Sequence, residues 1–169
     1  VGSRRLLEVD TVVPEIQRID GEAVDYALLL VLENGIELEV PDPDQNAVVA
    51  LLRMRGEIDV RYPETQDYFT VYDILTLLSY RARKLLGDSL KYVIIDDIDE
   101  SFGMYATAYF DTKNKNFKGI EARIRMDASS AIFLAELFSK RIFVDEDVIR
   151  RYARMMPGLG YGPQEGYGE

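Results

Sequence analysis

Two apolar runs, Val24 to Leu32 and Ile36 to Val40, flank Glu33-Asn34-Gly35. Asn-Gly at that place supplies the positive φ angles that a tight turn requires, so the stretch predicts a β-hairpin. Upstream, Leu6 to Val13 is apolar and β-branched enough for a strand, with Pro14 expected at its end or on a sheet edge. Pro41-Asp42-Pro43-Asp44 stops the hairpin and offers Asp44 as an N-cap. Ala47, Val48, Leu51 and Leu52 then recur at helical spacing as far as Gly56. Glu57 to Phe69 is polar, contains Pro63 and reads as a loop. Thr70 can cap a second helix whose apolar positions, Ile74, Leu75, Leu77, Leu78, Leu85 and Leu86, are expected to face the core and to stop at Gly87.

The period then changes from 3.6 to 2. Lys91 to Ile95 reads as a buried strand and Asp96 to Gly103 as a turn. Met104 to Asp111 alternates, with Met104, Ala106, Ala108 and Phe110 on one face and Tyr105, Thr107 and Tyr109 on the other. After turn residues 113 to 116, Lys118 to Met126 alternates again. Ile120, Ala122, Ile124 and Met126 are expected inward, and Glu121, Arg123 and Arg125 outward. These three segments predict an antiparallel meander. Asp127 caps a third helix over Ser129 to Ser139, Ile142 to Val144 is a short extended run, and Asp145 caps a last helix, Asp147 to Met155. The pattern defines an α+β fold: a mostly antiparallel sheet, hairpin plus meander, packed against three to four helices. Residues 1–156 read as one domain, and the Gly- and Tyr-rich stretch 157–169 as a flexible tail.

Composition narrows the chemistry. The 169 residues include no Cys, His or Trp, which removes imidazole and thiol dyads and triads, His- or Cys-bound zinc, and iron-sulfur clusters. Catalysis would have to use carboxylates, hydroxyls, Lys, Arg, backbone amides or a borrowed cofactor. No apolar run approaches the roughly 20 residues needed to span a bilayer, and the lack of Cys fits a reducing compartment, so a cytoplasmic domain without membrane partners is expected. The formal net charge is −10, unevenly spread: residues 1–50 hold 11 acidic and 3 basic side chains. The best basic patch, at Lys113, Lys115, Lys118, Arg123 and Arg125, is the expected landing place for any nucleic acid. With so few phosphate contacts, binding there would be weak and salt-sensitive. The Tyr-bearing strand face beside it could stack bases or bury itself against a second subunit, and a homo-oligomer, most simply a dimer, is expected.

Tyr72-Asp73-Ile74-Leu75, Gly103-Met104-Tyr105-Ala106, Ala131-Ile132-Phe133-Leu134-Ala135 and Arg141-Ile142-Phe143-Val144 follow one another along the chain. Over roughly residues 5 to 150 this order resembles the bifunctional nuclease domain family. Its members read "His-Asp-Leu-Leu", "Phe-Tyr-Ala", "Arg-Pro-Ser-Asp-Ala-Ile-Ala-Leu-Ala" and "Pro-Ile-Phe-Val" at the corresponding places. The resemblance implies an α+β domain, often oligomeric, with nuclease activity on DNA and RNA described for some members. It also implies candidate site residues: Asp73 and Asp127 as ligands of magnesium or manganese, Ser130 beside them, and Glu136 further along the helix. Arg125 would complement phosphate there.

The departures matter as much. Tyr72 stands where the family has His, Asp127 where it has Arg, Ser130 where it has Asp, and Asn46-Ala47 where it favours Glu-Ala. Tyr is a poor base near neutral pH, and Ser brings no carboxylate charge. The expectation is therefore a divergent domain with weak or no nuclease activity that serves as a binding or assembly module. The alternative is a metal-dependent phosphodiesterase.

Overall fold

A computed structural model describes residues 4–19, 23–57, 70–114 and 117–156. Among these residues, seven strands and five helices form an α+β fold: β1 (Leu6–Ile19), β2 (Ala23–Leu32), β3 (Glu37–Glu39), α1 (Gln45–Met54), α2 (Val71–Leu77), α3 (Ser79–Leu86), β4 (Leu90–Ile98), β5 (Met104–Asn114), β6 (Phe117–Asp127), α4 (Ala128–Phe138), β7 (Arg141–Asp145) and α5 (Glu146–Met155). One mixed sheet runs in the order β3-β2-β1-β7-β4-β5-β6. Every pairing is antiparallel except β4 with β7. The C-terminal strand β7 thus joins the N-terminal hairpins to the meander. The parallel pairing is possible because β5, β6 and α4 intervene and carry the chain back.

The β2–β3 connection follows from Asn34 and Gly35, by a different route from the expected one. Only Gly35 has positive φ, at 82°, while Asn34 contributes its side chain, whose Oδ1 accepts from the Ile36 N–H at 3.1 Å. Gly35 N–H donates to the Leu32 carbonyl and Leu32 N–H to that of Ile36, both at 2.8 Å. This is a three-residue loop closed by a glycine in the left-handed region.

Pro14 does not end β1, which continues to Ile19. Past Glu8 the strand pairs only with β2, so the missing proline N–H removes no ladder bond on its other side. β4 likewise runs on to Ile98, which makes Asp96 and Asp97 strand residues and leaves the turn to begin at Asp99. There Oδ1 accepts from the N–H groups of Ser101 (2.9 Å) and Gly103 (2.7 Å), and Oδ2 accepts from the Tyr105 hydroxyl (3.1 Å). These bonds, that of Gly103 foremost, hold the Asp99 carboxyl below its ordinary range.

The core lies between the sheet and its helices. α4 is buried on nearly all sides, with Ala131, Ile132, Phe133, Ala135 and Leu137 fully enclosed. Its alanines and the buried Ala106 and Ala108 of β5 keep side chains short where helix and sheet approach. Ile124, on the same face of the sheet as Ala108, is 47% exposed because β6 is the edge strand. This corrects its inward placement.

The second helix departs most from expectation. It breaks at Leu78 (φ −90°, ψ 10°) into α2 and α3. Two residues before the break the Thr76 hydroxyl donates back to the Tyr72 carbonyl at 2.8 Å, a bond that bends helices. Of its apolar residues Leu75 packs against the core, but Ile74, Leu77 and Leu78 are 50%, 71% and 50% exposed. The side chains of Leu85 and Leu86, and the expected loop over residues 58–69, lie outside the described residues, as does the tail 157–169. Leu77→Glu should therefore change the unfolding free energy by no more than about 0.5 kcal/mol in urea melts. A core leucine would cost several times that.

Candidate functional site

The starts of three helices converge. Asp44 caps α1, its Oδ1 accepting from Asn46 N–H at 2.9 Å. Asp127 caps α4, its Oδ2 accepting from Ser130 N–H at 2.9 Å. Between them stands Tyr72 of α2, whose hydroxyl donates to Asp44 Oδ2 at 3.0 Å and lies 2.9 Å from Ser130 Oγ. Ser130 Oγ in turn donates to Asp127 Oδ1 at 2.6 Å. The row Asp44, Tyr72, Ser130, Asp127 has three oxygen–oxygen contacts and two hydroxyl protons, one sent to each carboxylate. Beside it, the Asp44 N–H donates to Ser129 Oγ at 3.0 Å. A cavity of about 320 Å3 lies against this joint, with Asp42, Asp44, Asp127 and Ser129 on its wall.

Tyr72 is half-buried, its ring edge-on to Phe133 at 4.9 Å. Burial, with the charges of Asp44 and Asp127, pushes its hydroxyl up to about 12, against a smaller downward pull from the Ser130 hydrogen bond. A phenol with this value holds its proton throughout the neutral range and cannot act as the base that His would supply. Since the folded value lies above the unfolded one, its contribution to stability is whole below about pH 10. It is lost as pH rises through about 12, by an amount on the order of 1 kcal/mol after allowance for solvent screening. Alkaline unfolding of Tyr72→Phe beside wild type should show that slope in the wild type and not in the variant.

Asp73 follows Tyr72 by one residue and points elsewhere. It is 5% exposed and accepts from Arg53 Nη1 through Oδ1 at 2.6 Å. Its Oδ2 accepts from both the backbone N–H (2.9 Å) and the hydroxyl (3.0 Å) of Thr70. Arg53 is itself 9% exposed, so the two form a buried ion pair closed by a capping box. Glu136 pairs with Arg55 at 3.0 Å. Of the carboxylates named for magnesium or manganese, Asp73 and Asp127 thus each spend both oxygens on protein donors. Among the described residues no three acidic side chains gather as a metal would require. The donor set does not suit a divalent cation at Asp73.

Arg125 shares a shallow hollow with Asp99, Tyr105 and Asp127, but its guanidinium lies over the Tyr105 ring at 4.5 Å and pairs with Asp97 at 2.8 Å. It makes no described contact with Ser129 or Ser130. Arg123 stands 5.4 Å over Tyr109 and 3.3 Å from Glu121. Lys115 and the side chains of Lys113 and Lys118 lie outside the described residues.

Sequence reasoning missed Asp44 as the second carboxylate of the joint and the width of the aromatic face. On the side of the sheet away from α4, Tyr92 stacks on Tyr109 at 4.8 Å and meets Phe143 edge-on at 6.0 Å. Arg141 lies 5.0 Å over Phe143 and is held by both oxygens of Glu8, at 2.7 and 2.6 Å. The alternation at Tyr105, Thr107 and Tyr109 signalled part of this surface. The share from β4 and β7 depends on a pairing no local pattern announces. A hollow of about 590 Å3, lined by Tyr26, Phe102 and Tyr152 among others, contains none of the expected site residues.

Compared with known proteins, the chain matches no family model and no curated protein. Among the described residues no helix is long and apolar enough to cross a membrane.

Proposed function

We propose that this chain is a non-catalytic binding and assembly module of the bifunctional nuclease type, whose ancestral polar site has become a structural joint. The observation that carries this reading is the saturation of the site. Asp73 is closed off by Arg53 and Thr70, Asp127 by Ser130, and Tyr72 bridges Asp44 and Ser130 with a proton it does not release near neutral pH. Hydrolysis of a phosphodiester needs an activated water and stabilisation of the charge on phosphorus. Here the candidate metal ligands are spent on helix caps and an ion pair, and the candidate phosphate ligand, Arg125, is engaged by Asp97. Among the described residues, the aromatic sheet face and the exposed side of α2 are surfaces such a module could use. Self-association is the first role of such a module, and weak nucleic-acid binding around Arg123 and Arg125 a secondary one.

Incubation with single- and double-stranded DNA and RNA, with magnesium, with manganese and with EDTA, tests the reading. The expected result is the same low background in every arm, and the same background for Asp127→Ala. Metal-dependent cleavage that Asp127→Ala abolishes while remaining folded would reinstate the phosphodiesterase.

A further inference from the structure

We propose that the hollow lined by Tyr26, Phe102 and Tyr152 is a binding site for a linear aliphatic polyamine, its ammonium groups taken by Asp25, Glu39 and Asp42 and its methylenes by the aromatic rings. The hollow adjoins the cavity at the joint of the helix starts and shares Asp42 and Phe102 with it. It uses none of Tyr72, Asp73, Asp127 or Ser130, so the inference stands whether or not that joint is catalytic.

Stretches far apart in sequence supply its walls. Asp25 and Tyr26 come from β2, Glu39 from the end of β3, Asp42 from the link to α1, Phe102 from the β4–β5 turn and Tyr152 from α5. Two of these are set in place locally. Asp42, in the left-handed region at φ 43°, stands between Pro41 and Pro43, whose rings fix their own φ. Phe102, at φ 64°, donates its N–H to the Asp99 carbonyl at 3.1 Å, while the Asp99 carboxylate accepts from the N–H groups on either side, those of Ser101 and Gly103. This turn keeps a phenyl ring 39% exposed at the hollow, whereas Tyr152 is 2% exposed. The walls are preformed, and about 590 Å3 lies within the range of small-molecule sites.

The hollow carries uncompensated charge. Elsewhere Asp73, Asp97, Asp111, Glu121, Glu136 and Asp145 each hold a Lys or Arg. The carboxylates of Asp25, Glu39 and Asp42 have no cationic or hydrogen-bonding partner among the described residues, and no described Lys or Arg lines the hollow. All three belong to the first 50 residues, where 11 acidic side chains face 3 basic ones, so their fields add at the hollow. Spacing then selects the cation. Glu39 stands opposite Leu29, and Asp25 lies four positions further along β2, about 14 Å away at the backbone. One compact metal ion, whose ligands stand at about 2.0–2.6 Å, cannot join carboxylates so far apart, and no three described acidic side chains gather as a metal would require. A chain of ammonium groups separated by methylenes can. Such a chain also suits the rings, whose negative faces attract ammonium groups and whose apolar surface takes the carbons between them.

Titration calorimetry of the full chain with spermidine at roughly 0.15 M salt tests the site. One saturable site per chain is expected, with the shorter diamine putrescine bound more weakly. Glu39→Gln and Asp42→Asn should each weaken spermidine binding about fivefold, and the double variant about twentyfold, as for exposed charge pairs. Asn tolerates the left-handed backbone of residue 42, and Phe102→Asn does the same at residue 102. Loss of that ring should cost about threefold. Asp10→Asn with Asp88→Asn removes the same charge from exposed positions away from the hollow and should bind as wild type does. Circular dichroism reports folding, and Asp25→Asn replaces either carboxylate variant if it does not fold.

Heats that never saturate, an affinity unchanged in the Glu39 and Asp42 double variant, or an equal loss in the Asp10 and Asp88 pair would overturn the site. So would displacement of spermidine by an equal concentration of magnesium, the mark of diffuse attraction. A trilysine peptide bound more tightly than spermidine would overturn the polyamine and give the hollow to a basic polypeptide. None of these results bears on cleavage, so failure here and failure of the non-catalytic reading are told apart.

Discussion

Asp73→Ala is expected to lower the unfolding free energy by about 3–5 kcal/mol, the cost of leaving one charge of a buried pair without its partner. The side chains are 5% and 9% exposed, and Arg53 already has its Nε without an acceptor, so loss of the Asp73 carboxylate strands the guanidinium. The same substitution removes the capping box at Thr70 and loosens the first turn of α2. A fall of that size in a chain of this length lowers the midpoint of thermal unfolding by roughly 10 °C. Scanning calorimetry of the two proteins checks it. Replacing both partners together, Arg53→Met with Asp73→Leu, should recover most of the loss, because no charge is then left buried. A metal ligand would behave differently: its removal would leave stability untouched or raise it, and a second substitution at Arg53 would rescue nothing.

Phe133→Ala is expected to cost about 3–5 kcal/mol through the cavity it leaves. The ring is fully buried in α4 and supports Tyr72 edge-on, so the cavity opens beneath the joint of the three helix starts. Urea unfolding should show the midpoint falling with an unchanged slope. A double-mutant cycle with Tyr72→Leu should show a coupling of about 0.5–1.5 kcal/mol from the aromatic pair.

What could be read from the sequence was what is decided locally. Asp44, Asp127 and Asp145 cap α1, α4 and α5 as expected, because an N-cap needs only the two or three residues after it. The meander followed from alternation, since a strand that buries Ala106 and Ala108 must turn Tyr105, Thr107 and Tyr109 the other way. What failed was non-local. Periodicity over residues 74 to 78 identified an apolar stripe but not whether anything covers it. Pro14 does sit on a one-sided, edge-like stretch, because β7 pairs with β1 only at Leu6 to Glu8, but nothing local showed that the strand runs on to Ile19.

The candidate site divided in the same way. Asp127 and Ser130 met because three residues separate them at a helix start. Tyr72 and Asp73, adjacent in sequence, point about 100° apart on a helix. One reaches Ser130 and Asp44, the other Arg53, and no spacing in the chain distinguishes those destinations. The aromatic face was half visible for a related reason. Tyr109 and Arg123 lie in one hairpin, whereas Tyr92 and Phe143 meet only through the parallel pairing of β4 with β7.

We propose that the polar cluster at the starts of α1, α2 and α4 holds helices together rather than a metal ion. Calorimetric titration of manganese into the folded wild-type protein tests it most directly. Only weak, non-saturating heats are expected, unchanged in Asp127→Ala and in Asp73→Asn; one saturable site per chain, lost in either variant while it remains folded, would show that the cluster is a metal site.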